Sequence, residues 1–158
     1  HADGLLYNGS HPKDLAWARE QVDDGLADRP DHRGEFDLIA YAAVSVADEE
    51  AAAREAARPP VAFITAGAAP PVLKRHGIDP DAAGEIGERV SAGEFSAAFE
   101  RVTPAMVDAF CMAGTPETVR ERAAAVAEHA DGLVVGSPLG PDLETAVDLA
   151  AEAVDGLF

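Results

Sequence analysis

The chain is short of cysteine, of lysine and of long apolar runs, and each shortage closes off a class of protein. A single cysteine, Cys111, leaves no partner for an internal disulfide, and a chain of 158 residues is long enough to bury a core without such staples. Cys111 is expected to be a buried structural thiol and is compatible with a reducing compartment. Lys13 and Lys74 are the only lysines among 12 basic side chains, while 29 acidic ones bring the formal net charge to -17. So acidic a chain repels nucleic acid and anionic membranes. No apolar run approaches the ~20 residues of a membrane span. No basic segment leads into an apolar one, so no secretory signal is expected. The first residue is a histidine at a turn into a strand, which reads as a processed or partial polypeptide.

Metal-ligand spacing is lacking too. His1, His11, His32, His76 and His129 show no H-x3-H or H-E-x-x-H pattern and there is no cysteine pair, so no metal site is expected. The glycine loops carry neither the Walker lysine nor the three-glycine dinucleotide pattern, and no G-x-S-x-G elbow supports a triad of Ser10, His11 and Asp14. The carboxylates are too numerous for spacing to single out an acid/base pair, so no catalytic residue is assigned. Their abundance is informative in another way. Molar salt shrinks the Debye length to about 3 Å and screens self-repulsion, while carboxylates keep the surface hydrated. A halophilic source is therefore expected, with helicity falling on dilution from molar salt.

What the chain does have is a stretch that occurs twice. Residues 1–15 read HADGLLYNGSHPKDL and residues 129–143 read HADGLVVGSPLGPDL. Each reads as one βα unit: a turn at Asp-Gly, a short apolar strand, a Gly/Ser/Pro loop, and a proline (Pro12, Pro141) opening a helix. Loops at the carboxyl ends of parallel strands hold ligands, and glycine-bearing loops at helix starts suit an anionic group.

Between the copies, residues 12–27 place Leu15, Ala18, Val22 and Leu26 on one face of a surface helix. Trp17 lies off that stripe and reads as a helix–helix packing residue. Residues 28–34 form a polar loop. FDLIAYAAVSV, residues 36–46, reads as a strand buried on both faces. The acids Asp48 to Glu50 then start a helix that Arg58-Pro59-Pro60 stops. From about 59 to 114 the chain reads as a helical insertion of short helices punctuated by Pro and Gly, with Phe95 and Phe99 in i, i+4 contact. Thr115-Pro116-Glu117 caps a further helix, and Leu143, Ala146, Val147, Ala150 and Val154 stripe the last. The expectation is thus one α/β domain over 1–158 with three parallel strands, 5–7, 36–46 and 133–135, too few to close a barrel of eight.

ADGLLYNGSHPKD, DLIAYAAVSVAD, EAARPPVAFI and AGTPETVRERAAAVAEHADGLVVGSPLGPD, in that order, resemble the carboxyl-terminal half of luciferase-like proteins that use coenzyme F420. The likeness covers essentially the whole chain and is strongest toward the methylenetetrahydromethanopterin reductases and their relatives. S-H-P-K-D with G-S-P-x-G-P-D is its specific part. The resemblance implies a partial (β/α)8 TIM barrel whose strands are equivalent to strands 6–8, with the helical insertion before the last. It implies hydride transfer between the deazaflavin of F420 and a one-carbon-bearing, pterin-type substrate, with no metal; a flavin mononucleotide (FMN) monooxygenase of the same superfamily is the alternative cofactor reading. Nothing here matches the family's amino-terminal half, which the resemblance implies carries most acid/base residues and the main cofactor-phosphate loop. The partner implied is that missing half, or a second copy. A non-catalytic interaction module is the alternative of a different class. At predicted strand ends, Asn8, Ser10, His11, Ser45, Gly136, Ser137 and Pro138 are the candidates for cofactor or substrate contact, each equally open to a turn or cap role.

Overall fold

A computed structural model describes residues 2–158; His1, which opens the first repeat, lies outside them. The chain runs β1 (Gly4–Asn8), α1 (Pro12–Leu26), a 3-10 turn (Asp31–Arg33), β2 (Asp37–Val46), α2 (Glu50–Gly67), α3 (Pro70–His76), α4 (Pro80–Ser91), α5 (Phe95–Glu100), α6 (Pro104–Phe110), β3 (Met112–Gly114), α7 (Pro116–Ala127), β4 (Gly132–Leu139) and α8 (Leu143–Val154).

Every other strand pairs with β2, and every pairing is parallel. Tyr41 pairs with both Asn8 and Val134, and Ser45 with both Ala113 and Leu139. Therefore β1 and β3 lie in tandem along one edge of β2, while β4 takes the other. Because side chains alternate along a strand, β2 offers two different faces. Ala40, Ala42, Val44 and Val46 face Leu15 of α1, Val119, Ala123 and Val126 of α7, and Ala146, Ala150 and Ala153 of α8. Small residues on both sides let these helices lie close to the sheet. On the opposite face Ala43, with Ala113 of β3, packs under α2 to α6 through Ala57, Val61, Ile86, Met106 and Phe110. Toward the amino end of β2 that same face is bare: Leu6 is 59% exposed, Val134 41% and Tyr41 36%.

The architecture is the partial barrel expected, with differences of detail. There are four strands among the described residues, not three: Met112–Gly114 is too short to show a period of two. Pro59 and Pro60 do not stop α2, which continues to Gly67. A proline inside a helix costs about 3 kcal/mol. Here the half beyond the prolines buries Val61, Ala62 and Thr65, each at most 1% exposed, and a fully buried Val alone is worth about 1.5–3 kcal/mol. Arg58 adds a brace by donating from Nε and Nη2 to the Phe99 carbonyl at 3.1 and 2.9 Å. Finally, Gly136 to Leu139 is strand and not loop. It passes through a cis Ser137-Pro138 bond and a register shift opposite Ala43 and Ser45. Pro141 does not open α8; Asp142 caps it, with its carboxylate accepting from the Thr145 N–H at 2.9 Å. No described helix is long and apolar enough to cross a membrane.

Candidate functional site

The residues with most chemistry gather where β1 ends. Asn8, the last residue of β1, is exposed. The loop then turns through Gly9, whose N–H donates to the Tyr41 carbonyl at 3.0 Å. A Cβ on Gly9 would stand 2.6 Å from Cε1 of Tyr7, so only glycine lets the loop pass that ring. Ser10 follows at 3% exposure. Its Oγ accepts from the Ala43 N–H at 2.9 Å and donates to the Phe110 carbonyl at 3.1 Å. Ser10 thereby fills the gap on the edge of β2 between the end of β1 and the start of β3.

His11 caps α1: its Nδ1 accepts from the Lys13 N–H at 3.1 Å, and Pro12 takes the first helical position. Burial, with His76 nearby, pushes the His11 imidazole down to about 4, so the ring is neutral at neutral pH. One turn on, Asp14 is 4% exposed. Its Oδ1 receives Nη1 of Arg75 at 2.5 Å and its Oδ2 meets Nε2 of His76 at 2.8 Å. The Arg75 guanidinium lies 4.8 Å from the Trp17 ring centre. Burial, and then the Asp14 carboxylate, hold the Tyr7 phenol above its ordinary range.

A cavity of about 320 Å³ opens here, with Asn8, Ser10 and Asp14 on one side and Phe63, Val72 and Phe110 on the other. It lies at the carboxyl end of β1 and beside Ala43 of β2, and the carboxyl ends of strands are where open parallel sheets bind ligands. Phe63 is 49% exposed and is backed by Phe95 and Phe99 at ring-centre distances of 5.7 and 6.1 Å. A larger groove of about 850 Å³ runs between α2 and α4 past Thr65, Gly84 and Gly87. It is lined by no strand residue and carries none of the candidate residues, so the smaller cavity has the stronger claim.

The structure brings Asn8 and Ser10 together at that cavity and separates the others from it. Ser45 is fully buried, and its Oγ donates to the Ala53 carbonyl at 2.6 Å, pinning the first turn of α2. Gly136 lies under the ring of Tyr41: a Cβ there would stand 2.7 Å from Tyr41 Cζ. Ser137 is exposed and Pro138 half-buried on β4, across β2 from the cavity. Tyr41, Phe63 and Arg75 carry no signal in the sequence, and Asp14 and His76 enter it in triad and metal patterns that do not hold. Asp14 has a further signal, as one of the two aspartates common to both repeats. Among the described residues no group of three or more His, Cys, Asp or Glu side chains is arranged to hold a metal ion.

With this geometry in view, comparison with known proteins is specific. The family described as luciferase-like monooxygenase matches residues 1–132. The 5,10-methylenetetrahydromethanopterin reductase of Archaeoglobus fulgidus is 40% identical over 157 residues, covering 96% of this chain and 47% of that protein. The reductases of the same name from Methanopyrus kandleri and Methanolobus tindarius are 38% and 40% identical, with 44% and 48% of their lengths covered. The solved structure of the coenzyme F420-dependent tetrahydromethanopterin reductase from Methanopyrus kandleri is similar over 95% of this chain and 44% of that one, at 37% identity and a TM-score of 0.87. The chain spans about half the length of the curated relatives it matches. It belongs to the luciferase-like monooxygenase family.

Proposed function

We propose that this chain forms one side of the active-site mouth of an F420-dependent reductase acting on a methylene-tetrahydropterin-type substrate. The observation that carries the reading is the cavity at the end of β1, in a fold that resembles an F420-dependent reductase over 95% of the chain. A ring system fits its volume and lining. Pockets for small molecules start at about 300 Å³ and combine apolar walls with a few placed polar groups. Phe63 would be the apolar wall and Asn8 would offer an amide to a polar ring edge.

When bound, the deazaflavin supplies the hydride chemistry. The chain's own residues orient and exclude water. Ser10 holds the loop against β2, His11 and Pro12 start α1 at a fixed place, and Ser45 fixes α2 so that Phe63 stays over the cavity. Ser137 and Pro138, across the sheet, would serve a more distant part of the ligand or the chain's other half. No residue of this chain is assigned a proton in the reaction.

The same reading requires a partner. Leu6, Tyr41 and Val134 leave the amino end of one sheet face bare, and an amino-terminal half of the barrel would cover it. Residues 1–158 would then be one part of a larger barrel domain, with the insertion at about 59–114 as its lid-side wall. A cytoplasmic, high-salt setting is in keeping with the single buried thiol and the net charge of -17.

Fluorescence titration with F420 tests the proposal, using the 158-residue chain alone and joined to a relative's amino-terminal half. The joined protein is expected to bind F420 and to oxidise its reduced form when methylenetetrahydromethanopterin is added, while the chain alone binds weakly or not at all. Tight binding by the chain alone refutes the need for a partner, and a folded joined protein that ignores F420 refutes the cofactor.

A further inference from the structure

The helix α3 is too short to hold itself in place. Seven residues fall well below the length at which a helix is stable in water, and Leu73 is the one residue of it that is buried as a whole. Yet α3 and the end of α2 supply Gly67, Ala68 and Val72 to the far wall of the cavity. Something must fix that wall.

The first turns of α1 offer the means. His11, Asp14 and Trp17 recur at a spacing of three and so project along one side of the helix. Each meets α3. The His11 ring packs edge-on against His76 at 4.7 Å, both Asp14 oxygens are taken by Arg75 and His76, and Trp17 lies under the Arg75 guanidinium. Gly77 ends α3 in a left-handed turn that only glycine adopts readily, which makes Arg75 and His76 its last residues. The side chains of Asp14 and His76 are 5% and 4% exposed. A buried carboxylate with each oxygen engaged is costly to disrupt, because removing it strands its partners.

We propose that Asp14 is a positioning residue: by engaging Arg75 and His76 together it holds α3 against the loop after β1 and fixes the width of the cavity. The inference rests on reading that cavity as the ligand site. It adds that the insertion is a fixed wall set from α1 and not a lid that moves freely over the mouth.

Asp14→Ala and Asp14→Asn test this in the joined protein, with Arg19→Ala as control. Arg19 lies on the same helix but ties it to the amino end of β4, donating to the His129 carbonyl and the Asp131 carboxylate. Hydrogen exchange of the α3 amides and emission of Trp17, the only tryptophan, read the tether directly. Ligand affinity and the split between KM and kcat read its consequence. The expected result is faster exchange confined to α3, shifted Trp17 emission, and KM raised about ten-fold with little change in kcat; Arg19→Ala loses stability without any of these. Unchanged α3 exchange in Asp14→Ala overturns the tether. Released α3 with an unchanged KM overturns the positioning role. If the parent protein binds neither F420 nor the pterin, the reading of the site fails, and α3 exchange still decides whether Asp14 is the tether.

Discussion

Replacing Ser10 by alanine separates a ligand-contact role from a structural one. Ser10 is 3% exposed, and its Oγ is engaged on both sides, by the Ala43 N–H at 2.9 Å and the Phe110 carbonyl at 3.1 Å. The substitution therefore leaves a donor of β2 and an acceptor at the end of α6 buried without this partner. An unsatisfied buried group costs about 1–3 kcal/mol, so the pair comes to roughly 2–6 kcal/mol, a large part of the ~5–15 kcal/mol that holds a domain together. For a chain of this size each kcal/mol lowers the Tm by about 2–4 °C, so a fall of roughly 4–24 °C is expected in the absence of any ligand. Urea denaturation should show a lower midpoint at constant slope, and the Ala43 amide should exchange faster. Ser137→Ala, at an exposed position of β4, is the control and should stay within about 0.5 kcal/mol. If Ser10→Ala unfolds at the same denaturant concentration as the parent, the splice between β1 and β3 is not what Ser10 provides.

Three other perturbations follow from single features. The His11 imidazole is held down to about 4 by burial and by His76, so the fold prefers it neutral; its contribution is complete above about pH 6.5 and is lost as pH falls toward 4. The gap is worth roughly 3 kcal/mol unscreened and about 1 kcal/mol for a ring this accessible to water, and denaturation midpoints of His11→Asn, which keeps a cap, should fall less steeply over that window than the parent's. Thr65 Oγ1 is buried without a hydrogen-bond partner, so Thr65→Val should raise stability by about 1 kcal/mol; a lower Tm in calorimetry would contradict this. Dilution from molar to low salt should lower helical circular dichroism if the surface acids depend on screening, and an unchanged spectrum argues for an ordinary acidic protein.

What was legible in the sequence was whatever local chemistry decides. β2 announced itself because ten residues from Asp37 to Val46 carry no charge after the first and are buried on both faces for half their length. The starts of α1 and α7 were legible because a proline suits the first helical position, where its missing N–H costs nothing. Long-range bonds were not. Ser10 and Ser45 read in the sequence equally as ligand contacts or as turn and cap residues, and nothing local shows that their hydroxyls bond distant carbonyls and an amide, Phe110 being 100 residues from Ser10. Asp14 stood inside a recognisable motif, while its partners Arg75 and His76 lie 61 and 62 residues away. Pro59-Pro60 misled for the same reason: its local cost is offset by packing that no local rule sees.

The two copies of the repeat now divide into a shared part and a divergent part with different meanings. In both, Asp-Gly starts a strand beside β2. Asp3 accepts from the Asp37 N–H through its carbonyl and pairs with Arg29 at 3.0 Å; Asp131 accepts from the Leu38 N–H through its carboxylate and pairs with Arg19 at 2.7 Å. In both, the glycine lies close against β2: a Cβ on Gly4 would approach the Asp37 carbonyl oxygen to 3.0 Å and one on Gly132 the Ile39 Cδ1 to 2.9 Å, so a larger residue there would press on β2. The shared residues therefore set register at the amino ends of the two flanking strands, and their recurrence reports architecture. The copies part company at the other end. The first leaves the sheet at Asn8 and turns through a buried serine and an anchored aspartate beside a cavity, whereas the second stays in the sheet to Leu139. Of the shared residues, Asp3-Gly4 and Asp131-Gly132 hold β1 and β4 against β2, while the second shared aspartate serves differently in each copy, Asp14 engaging Arg75 and His76 and Asp142 capping α8. Selectivity for a ligand therefore has to come from what differs between the copies, the residues Asn8 and Ser10 and the partners of Asp14.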